Sequence, residues 1–141
     1  MIFNSTIHGK IEYTKDNIYT FEKGMLGFPQ LRKFVLVDLK EYIPFKLLHS
    51  LEDENVGFIT VSPYEFFKDY EIKLNEETIK NLEIKSPNDV NIITTITLNS
   101  DPSLVTTNLQ GPIIINTTNQ KAEQIIIDNL KYKIKQPLMK E

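Results

Sequence analysis

The residues that could carry acid–base or metal chemistry are few in this sequence, and they are scattered. The two histidines, His8 and His49, lie in different segments, and neither has a partner at a metal-ligand spacing such as His-Glu-x-x-His. There is no cysteine, which excludes thiolate catalysis and cysteine-ligated metal sites. We therefore expect both histidines at the surface or at a sheet edge, and we expect neither a metal nor a cofactor.

Paired carboxylates are the other possible source of catalysis. Asp53 precedes Glu54, and Asp69 and Glu71 are two residues apart. A glycosidase needs two such groups facing each other across a cleft, whereas these acids fall in predicted loops or on the polar side of a predicted strand. The sequence also lacks a Gly-x-Ser-x-Gly elbow, a Ser-x-x-Lys pair and a glycine-rich phosphate loop. The sequence therefore does not indicate an enzyme. An enzyme that uses paired carboxylates stays an alternative, and a deep cleft with one acid titrating above about pH 6 would support it.

The composition predicts a β protein. The chain of 141 residues has 19 Ile, 12 Thr and 6 Val but a single alanine, Ala122, so residues that favour strands far outnumber the best helix former. The net charge is −3 and Arg32 is the sole arginine, a balance that opposes direct binding to nucleic acid. No apolar run approaches the ~20 residues of a membrane helix, and the start has no signal-peptide pattern. We expect a cytoplasmic protein without membrane attachment.

Short apolar runs closed by turn residues predict the elements. The predicted strands are residues 2–7, 10–13, 18–21, 34–39, 44–51, 56–61, 70–74, 89–98, 113–117 and 124–128, the last two forming a hairpin; 131–135 is either an edge strand or a basic tail. A short helix is predicted from Glu76 to Leu82, with Asn75 as N-cap. The pattern indicates a mainly β fold: a small antiparallel, partly open β-barrel or sandwich with one or two short helices. It forms a single domain over residues 1–135, followed by a flexible tail, 136–141.

Negative charge and aromatic residues coincide in one part of the chain. Residues 50–83 contain nine acids and three lysines, so this part carries a net charge of −6. Within it, residues 62–71 include four aromatic side chains, of which Phe66 or Phe67 is expected to pack in the core. The others, together with the acids, predict a binding surface made of Tyr64, Glu65, Asp69, Tyr70 and Glu71. A solvated acidic face kept for solubility is the alternative.

Two further segments predict loops whose course is set by particular residues. In 21–29, Gly24 and Gly27 predict positive φ angles, and the flanking phenylalanines fold back onto the core. In 106–116, two amide side chains precede a Gly-Pro turn and are expected to satisfy loop backbone groups. The loop-forming residues are Phe21, Gly24, Gly27, Phe28, Asn108, Gln110 and Pro112.

Taken in order along the chain, three motifs resemble the flagellar assembly factor FliW family. They are Phe21-x-x-Gly24-x-x-Gly27-Phe28, Pro63-Tyr64-x-Phe66-Phe67-x-Asp69-Tyr70-Glu71-Ile72-Lys73-Leu74, and Asn108-Leu109-Gln110-Gly111-Pro112-Ile113-Ile114-Ile115-Asn116. The resemblance spans about residues 7–134. Two small-residue departures, Thr107 and Gly111, stand where the family is expected to have alanine.

The resemblance implies a small β-barrel-like protein without enzymatic activity, monomeric on its own. Proteins similar to it bind the translational regulator CsrA, which relieves repression of flagellin mRNA, and bind flagellin in competition, so that synthesis matches export. We expect Tyr70, Glu71 and neighbouring acids to contact CsrA. An apolar groove or a strand edge would accept flagellin, by helix capture or by strand addition. The alternative function is a β-barrel module that binds an oligonucleotide or oligosaccharide directly.

Overall fold

Seven strands close into a barrel in the computed structural model, which describes residues 1–139. In chain order the elements are β1 (Ile2–Ser5), β2 (Gly9–Glu12), β3 (Ile18–Phe21), β4 (Lys33–Asp38), β5 (Lys46–Ser50), β6 (Gly57–Val61), α1 (Glu76–Asn81), β7 (Val90–Thr97), β8 (Thr106–Thr107), β9 (Ile113–Asn116), β10 (Lys121–Gln124) and β11 (Gln136–Pro137). Around the barrel the order is β7-β6-β5-β4-β3-β10-β9, and β9 pairs with β7 to complete the circle.

The mainly β prediction is confirmed, and the structure adds two details to it. The barrel is closed where a partly open one was predicted, because β7 is long enough to pair with β6 near its end and with β9 near its start. Not every neighbouring pair is antiparallel: β10 runs parallel to β3. Each of the seven strands therefore has a neighbour on both sides, although the β6–β7 and β3–β10 pairings span only two residues each.

The barrel interior is filled by aliphatic and aromatic side chains from nearly every strand. Phe21 and Phe34 lie at its centre, completely buried, with ring centroids 5.1 Å apart in an edge-to-face arrangement. Leu48, Ile113 and Ile115 pack in the same cluster. These are β-branched, aromatic or leucine residues, which fit a pleated and buried surface.

A separate two-stranded sheet covers part of the barrel's outer face. Strands β1 and β2 form a hairpin in which Ile2 pairs with Glu12 and Ser5 with Gly9. Its apolar side, which includes Ile11, packs on Val35 of β4 and Leu47 of β5. Since an isolated two-stranded hairpin is marginally stable in water, this one depends on its contacts with the barrel.

The predicted helix is present as α1. The Oδ1 atom of Asn75 accepts a hydrogen bond from the Thr78 amide at 2.7 Å, which satisfies one free donor at the helix start. Thr78 and Leu82, four residues apart, face the barrel and are buried, whereas Ile79 is 38% exposed. The helix therefore presents an apolar side chain away from the core it packs on.

Two predicted strands take a different form. Residues 70–74 keep the alternation of buried and exposed side chains but form no strand, because Tyr70 fixes the segment through its side chain rather than through a neighbouring strand. The predicted hairpin near 113–128 is present, but its second strand is β10, which begins at Lys121 and pairs with Asn116. After it, Ile125 and Ile127 donate single backbone hydrogen bonds to Pro112 and Gln110.

The end of the described chain is attached to the fold. Residues 131–135 form neither a strand nor a free tail, and Tyr132 among them is buried. In the segment predicted as a flexible tail, 136–141, β11 pairs antiparallel with β8 and Leu138 is buried. Lys140 and Glu141 lie outside the described residues.

The loop between β3 and β4 needs glycine at one position for two reasons. Gly24 has φ of +71°, and a Cβ atom there would collide with the backbone of Pro29. Gly27 has φ of +87° but open space around it. We expect Gly24→Ala to lower the free energy of unfolding by about 2 kcal/mol, since conformational strain and a backbone collision add together.

The matched control is Gly27→Ala, which introduces the conformational strain without a collision and should lower the free energy of unfolding by about 1 kcal/mol. Urea unfolding of both variants measures the difference. Equal losses would contradict the role given to the contact with Pro29.

Candidate functional site

An apolar groove of about 1010 Å³ lies between the barrel and the segments that follow β6. Its floor includes Leu36, Ile93 and Ile115, which also belong to or pack against the barrel core. Its walls come from the chain on either side of α1 and from the helix itself, through Ile72, Leu74, Ile79 and Ile84. A cavity of this size and lining suits an apolar surface of another molecule.

Charged residues occur only at the borders of this groove. Asp38 and Lys46 form an exposed ion pair of 3.6 Å there, and Glu65 and Lys85 also belong to the lining. Exposed pairs of this kind contribute little to stability. The border therefore has both signs of charge, and the interior supplies mostly apolar contact.

Three tyrosines fix residues 62–71, hereafter the acidic segment, beside the groove. The ring of Tyr70 lies 5.8 Å from that of Tyr64 and 4.7 Å from that of Tyr132. The Tyr70 hydroxyl donates a 2.7 Å hydrogen bond to the Leu109 carbonyl, and the Glu71 amide donates one of 2.8 Å to the Tyr132 hydroxyl. Burial raises the pKa of Tyr70 far above its ordinary value, with smaller contributions from Tyr64 and Tyr132, so this hydroxyl stays a donor.

At Tyr70 the structure differs from the predicted binding surface. Its side chain is only 2% exposed, because the ring is enclosed by Leu109 and Tyr132 and its hydroxyl is committed to the backbone. Tyr70 therefore positions the segment and does not face a partner. The other predicted surface residues are exposed: Tyr64, Glu65, Asp69 and Glu71.

The phenylalanines of the segment lie on its inner side. Phe67 packs against the cluster of Tyr70, Leu109 and Tyr132, and Phe66 lies 6.1 Å from the ring of Phe45. Both side chains are half-buried. Aromatic residues on one side and acids on the other give the segment an anchored face and an exposed face.

Asn108 and Gln110 hold the backbone next to Tyr132, on which the acidic segment packs. The Asn108 Oδ1 atom accepts hydrogen bonds from the amides of Gln110 at 3.0 Å and Gly111 at 2.9 Å. The Gln110 side chain donates to the Tyr132 carbonyl at 2.6 Å. Since Tyr132 in turn holds Glu71, these amides act on the acidic segment through its support, whereas the Pro112 carbonyl accepts a hydrogen bond from the Ile125 amide.

The other predicted loop residues lie at the end of β3 and in the β3–β4 connection. Phe21 is completely buried, and Phe28 is half-buried with its ring 6.0 Å from that of Phe58. Gly24 and Gly27 both have positive φ. This loop closes one part of the barrel core and contributes no lining residue to the groove.

A buried carboxylate that sequence reasoning missed holds one wall of the groove. Glu123 on β10 accepts hydrogen bonds from the Thr78 hydroxyl at 3.0 Å and from the side-chain amide of Asn81 at 3.3 Å, both on α1. Lys23 approaches the same carboxylate at 3.5 Å. Burial along β10 does not alternate, since Ala122 and Glu123 are both buried, so a periodicity of two could not have placed this carboxylate beneath α1.

One of the two histidines, His49, does not lie at the surface or at a sheet edge as expected, whereas His8 lies half-buried in the β1–β2 turn. His49 is completely buried, and its ring centroid lies 6.1 Å from that of His8, beneath the β1–β2 hairpin. Strand alternation puts His49 on the same face as Leu47, toward the hairpin. Within residues 1–139, no group of three His, Asp or Glu side chains is placed to hold a metal ion.

The fold and this site together define a small closed β-barrel protein with an apolar groove bordered by an anchored acidic segment. The profile of the FliW protein family matches residues 2–138. The flagellar assembly factor FliW of Clostridium beijerinckii is 62% identical over the full length of both chains, and that of Clostridium botulinum strain Alaska E43 is 55% identical over the same extent. A crystal structure of the flagellar assembly factor FliW superimposes with a TM-score of 0.92 at 34% identity, covering 100% of this chain and 99% of that one.

The chain therefore belongs to the FliW family of flagellar assembly factors, as the sequence motifs predict. In the part of the chain that the structure covers, no helix is both long and apolar enough to cross a membrane.

Proposed function

We propose that this flagellar assembly factor is a cytoplasmic, non-enzymatic partner switch. It binds the translational regulator CsrA, which relieves repression of flagellin mRNA, and it binds flagellin in competition, so that flagellin synthesis follows export. The observation that carries the proposal is the continuity of two surfaces: Tyr64 and Glu65 belong both to the acidic segment and to the lining of the groove.

The acidic segment is the proposed contact for CsrA. A protein that holds RNA is expected to be basic, and exposed acids on a fixed segment attract it and guide its approach. Asp69 and Glu71 are exposed on either side of the buried Tyr70. Because Tyr70 and Tyr132 fix this backbone before any partner arrives, little ordering is needed on binding.

The groove is the proposed contact for flagellin. Helix capture and strand addition were both open on sequence grounds, and the closed barrel favours the first. Each of the seven barrel strands already has a paired neighbour on both sides, and the stretch of β7 that lines the groove, Val90–Ile93, is paired with β9. Its aliphatic walls suit the apolar face of an amphipathic helix, inserted as spaced apolar anchors.

Competition between the partners follows from the shared residues. A helix seated in the groove would contact Tyr64 and Glu65 at its border, and CsrA on the acidic segment would contact the same two side chains. Both partners cannot occupy this border at once. Flagellin bound in the groove then releases CsrA without any large change in the barrel.

Calorimetric titration tests this function directly. The purified protein is titrated with CsrA, then with flagellin, and each titration is repeated with the other partner at saturation. We expect saturable binding to each and loss of the second signal when the first partner is present. Binding to both at once would contradict the shared border, and a folded sample that binds neither would overturn the proposed function.

A further inference from the structure

The charged side chains of the groove differ in whether the protein itself neutralises them. Within residues 1–139, the charged residues that line the groove are Asp38, Lys46, Glu65 and Lys85. Asp38 and Lys46 form an ion pair of 3.6 Å with each other. Glu65 and Lys85 are exposed, and neither forms an ion pair with another residue of the described chain. The groove therefore has one negative and one positive side chain available to a bound partner.

Glu65 lies on the side of the groove that β5 and β6 form. Strand β6 ends at Val61, opposite Thr94 of β7, and Glu65 is the last residue of the 3₁₀ turn that follows. The next side chain, Phe66, has its ring 6.1 Å from that of Phe45, which directly precedes β5. The negative end of the groove is therefore beyond the end of β6.

Lys85 lies on the other side of β7, near β9 and β10. Two residues before it, Glu83 forms an ion pair of 2.7 Å with Lys121, the first residue of β10. The side chain of Asn116, at the end of β9, donates a hydrogen bond of 3.3 Å to the Glu83 carbonyl. After Lys85 the chain turns into Val90, where β7 begins. The positive end of the groove is therefore beside the start of β7.

The separation of these two ends matches a short helix. The β7 stretch from Val90 to Thr94 rises roughly 13 Å, and the same length of α-helix contains about nine residues. A helix carries about half a positive elementary charge at its N-terminus and half a negative one at its C-terminus. With its N-terminus at Glu65 and its C-terminus at Lys85, both ends meet an opposite charge. In the reverse direction, both ends meet a like charge.

We propose that the groove binds a flagellin helix of about nine residues in one direction only, with its N-terminal end at Glu65 and its C-terminal end at Lys85. This inference rests on the proposed function, in which the groove is the flagellin site. The apolar face of the helix lies against the aliphatic walls. The Glu65 carboxylate accepts from the free N–H groups of the first turn, and the Lys85 ammonium group donates to the free carbonyls of the last turn.

Photo-cross-linking measures the direction of the bound helix. Because the sequence has no cysteine, Tyr64→Cys and Pro87→Cys each provide a single thiol in the groove lining, next to one of the two charges. Each variant is labelled with a benzophenone maleimide, mixed with flagellin and illuminated, and the cross-linked flagellin residues are identified by mass spectrometry. We expect those reached from position 64 to precede those reached from position 87 by about two helical turns. Glu12→Cys on β2 is the control and should not label the same stretch.

The outcomes separate the direction from the proposed function. The reverse order, or one set of flagellin residues reached from both positions, overturns the direction and leaves the groove as the flagellin site. If flagellin binds saturably and neither groove position yields a cross-link, the groove is not the flagellin site, and both the inference and that part of the proposed function are wrong.

Charge variants test the same contacts without a label. Lys85→Gln should weaken flagellin binding about 2- to 5-fold at low salt, and Glu65→Gln by a similar factor, since each removes one favourable charge at a helix end. Both losses should shrink as salt rises. Lys80→Gln changes the net charge as Lys85→Gln does but lies outside the groove lining, so it should bind flagellin like the wild type. Unchanged affinity in both Lys85→Gln and Glu65→Gln overturns the proposal while flagellin binding itself stands.

Discussion

Replacement of both Asp69 and Glu71 by lysine is expected to weaken CsrA binding about 100-fold at low salt. The two side chains are exposed on a segment held by buried tyrosines, so the substitutions change the surface charge without removing a core contact. Charge complementarity of this kind acts mainly on the association rate, where steering is worth about 10- to 1,000-fold. Stopped-flow or surface-plasmon measurements at several salt concentrations show the effect, which should shrink as salt rises.

The control for this experiment is Glu12→Lys with Asp16→Lys, at exposed acids on and just after β2. It changes the net charge of the protein by the same amount at a different part of the surface. CsrA should bind this variant nearly as well as the wild type. An equal loss in both double variants would mean that only the overall charge matters. An unchanged affinity and salt dependence in folded Asp69→Lys, Glu71→Lys protein would remove the acidic segment from the interface.

Local patterns predicted those parts of the fold that local physics determines. Asn75 and the two glutamates after it mark the start of α1, and the predicted strands other than 70–74 and 124–128 are found within a few residues of their predicted positions. Gly24 and Gly27 have the positive φ that their spacing predicts. In each case the decisive interaction lies within a few residues along the chain.

Closure of the barrel and the position of Tyr70 depend on distant contacts that no local pattern contains. β7 reaches both β6 and β9, and a periodicity of two gives no information about which strands become neighbours. Tyr70 alternates with Glu71 as in a half-buried strand, but its hydroxyl meets Leu109, 39 residues away. The Ser5–His49 hydrogen bond joins residues 44 apart.

The acidic half of the candidate site could be predicted, and the groove could not. Acids close in sequence to Tyr64 are visible as a cluster of charge, and because they are close along the chain they also lie close together in space. The groove is assembled from residues between Tyr19 and Ile115 on strands, a helix and connecting segments. Each of these apolar side chains, taken alone, is typical of an ordinary core position.

Replacement of Ile79 by glutamate is expected to weaken flagellin binding about 100-fold or more and to leave CsrA binding unchanged. Ile79 lies in the wall of the groove and is 38% exposed, so the fold tolerates a polar side chain there. Because the isoleucine side chain is no longer buried against a partner, the binding free energy falls by about 2 kcal/mol. The new carboxylate must also lose its bound water when a helix occupies the groove. Calorimetric titration with flagellin and with CsrA measures both effects.

The neighbouring Lys80 provides the control on the same helix, since Lys80→Glu places the same carboxylate one residue along, exposed and outside the groove lining. It changes the net charge more than Ile79→Glu does, so a loss confined to Ile79→Glu cannot come from charge alone. Equal losses of flagellin binding in the two variants would contradict the groove as the flagellin site. If Ile79→Glu protein binds flagellin as well as the wild type does, strand addition at the edge of β11 becomes the remaining mode of flagellin binding. If the groove is the site, flagellin no longer displaces CsrA from Ile79→Glu protein. Cells carrying that variant should then translate flagellin continuously, even when export is blocked.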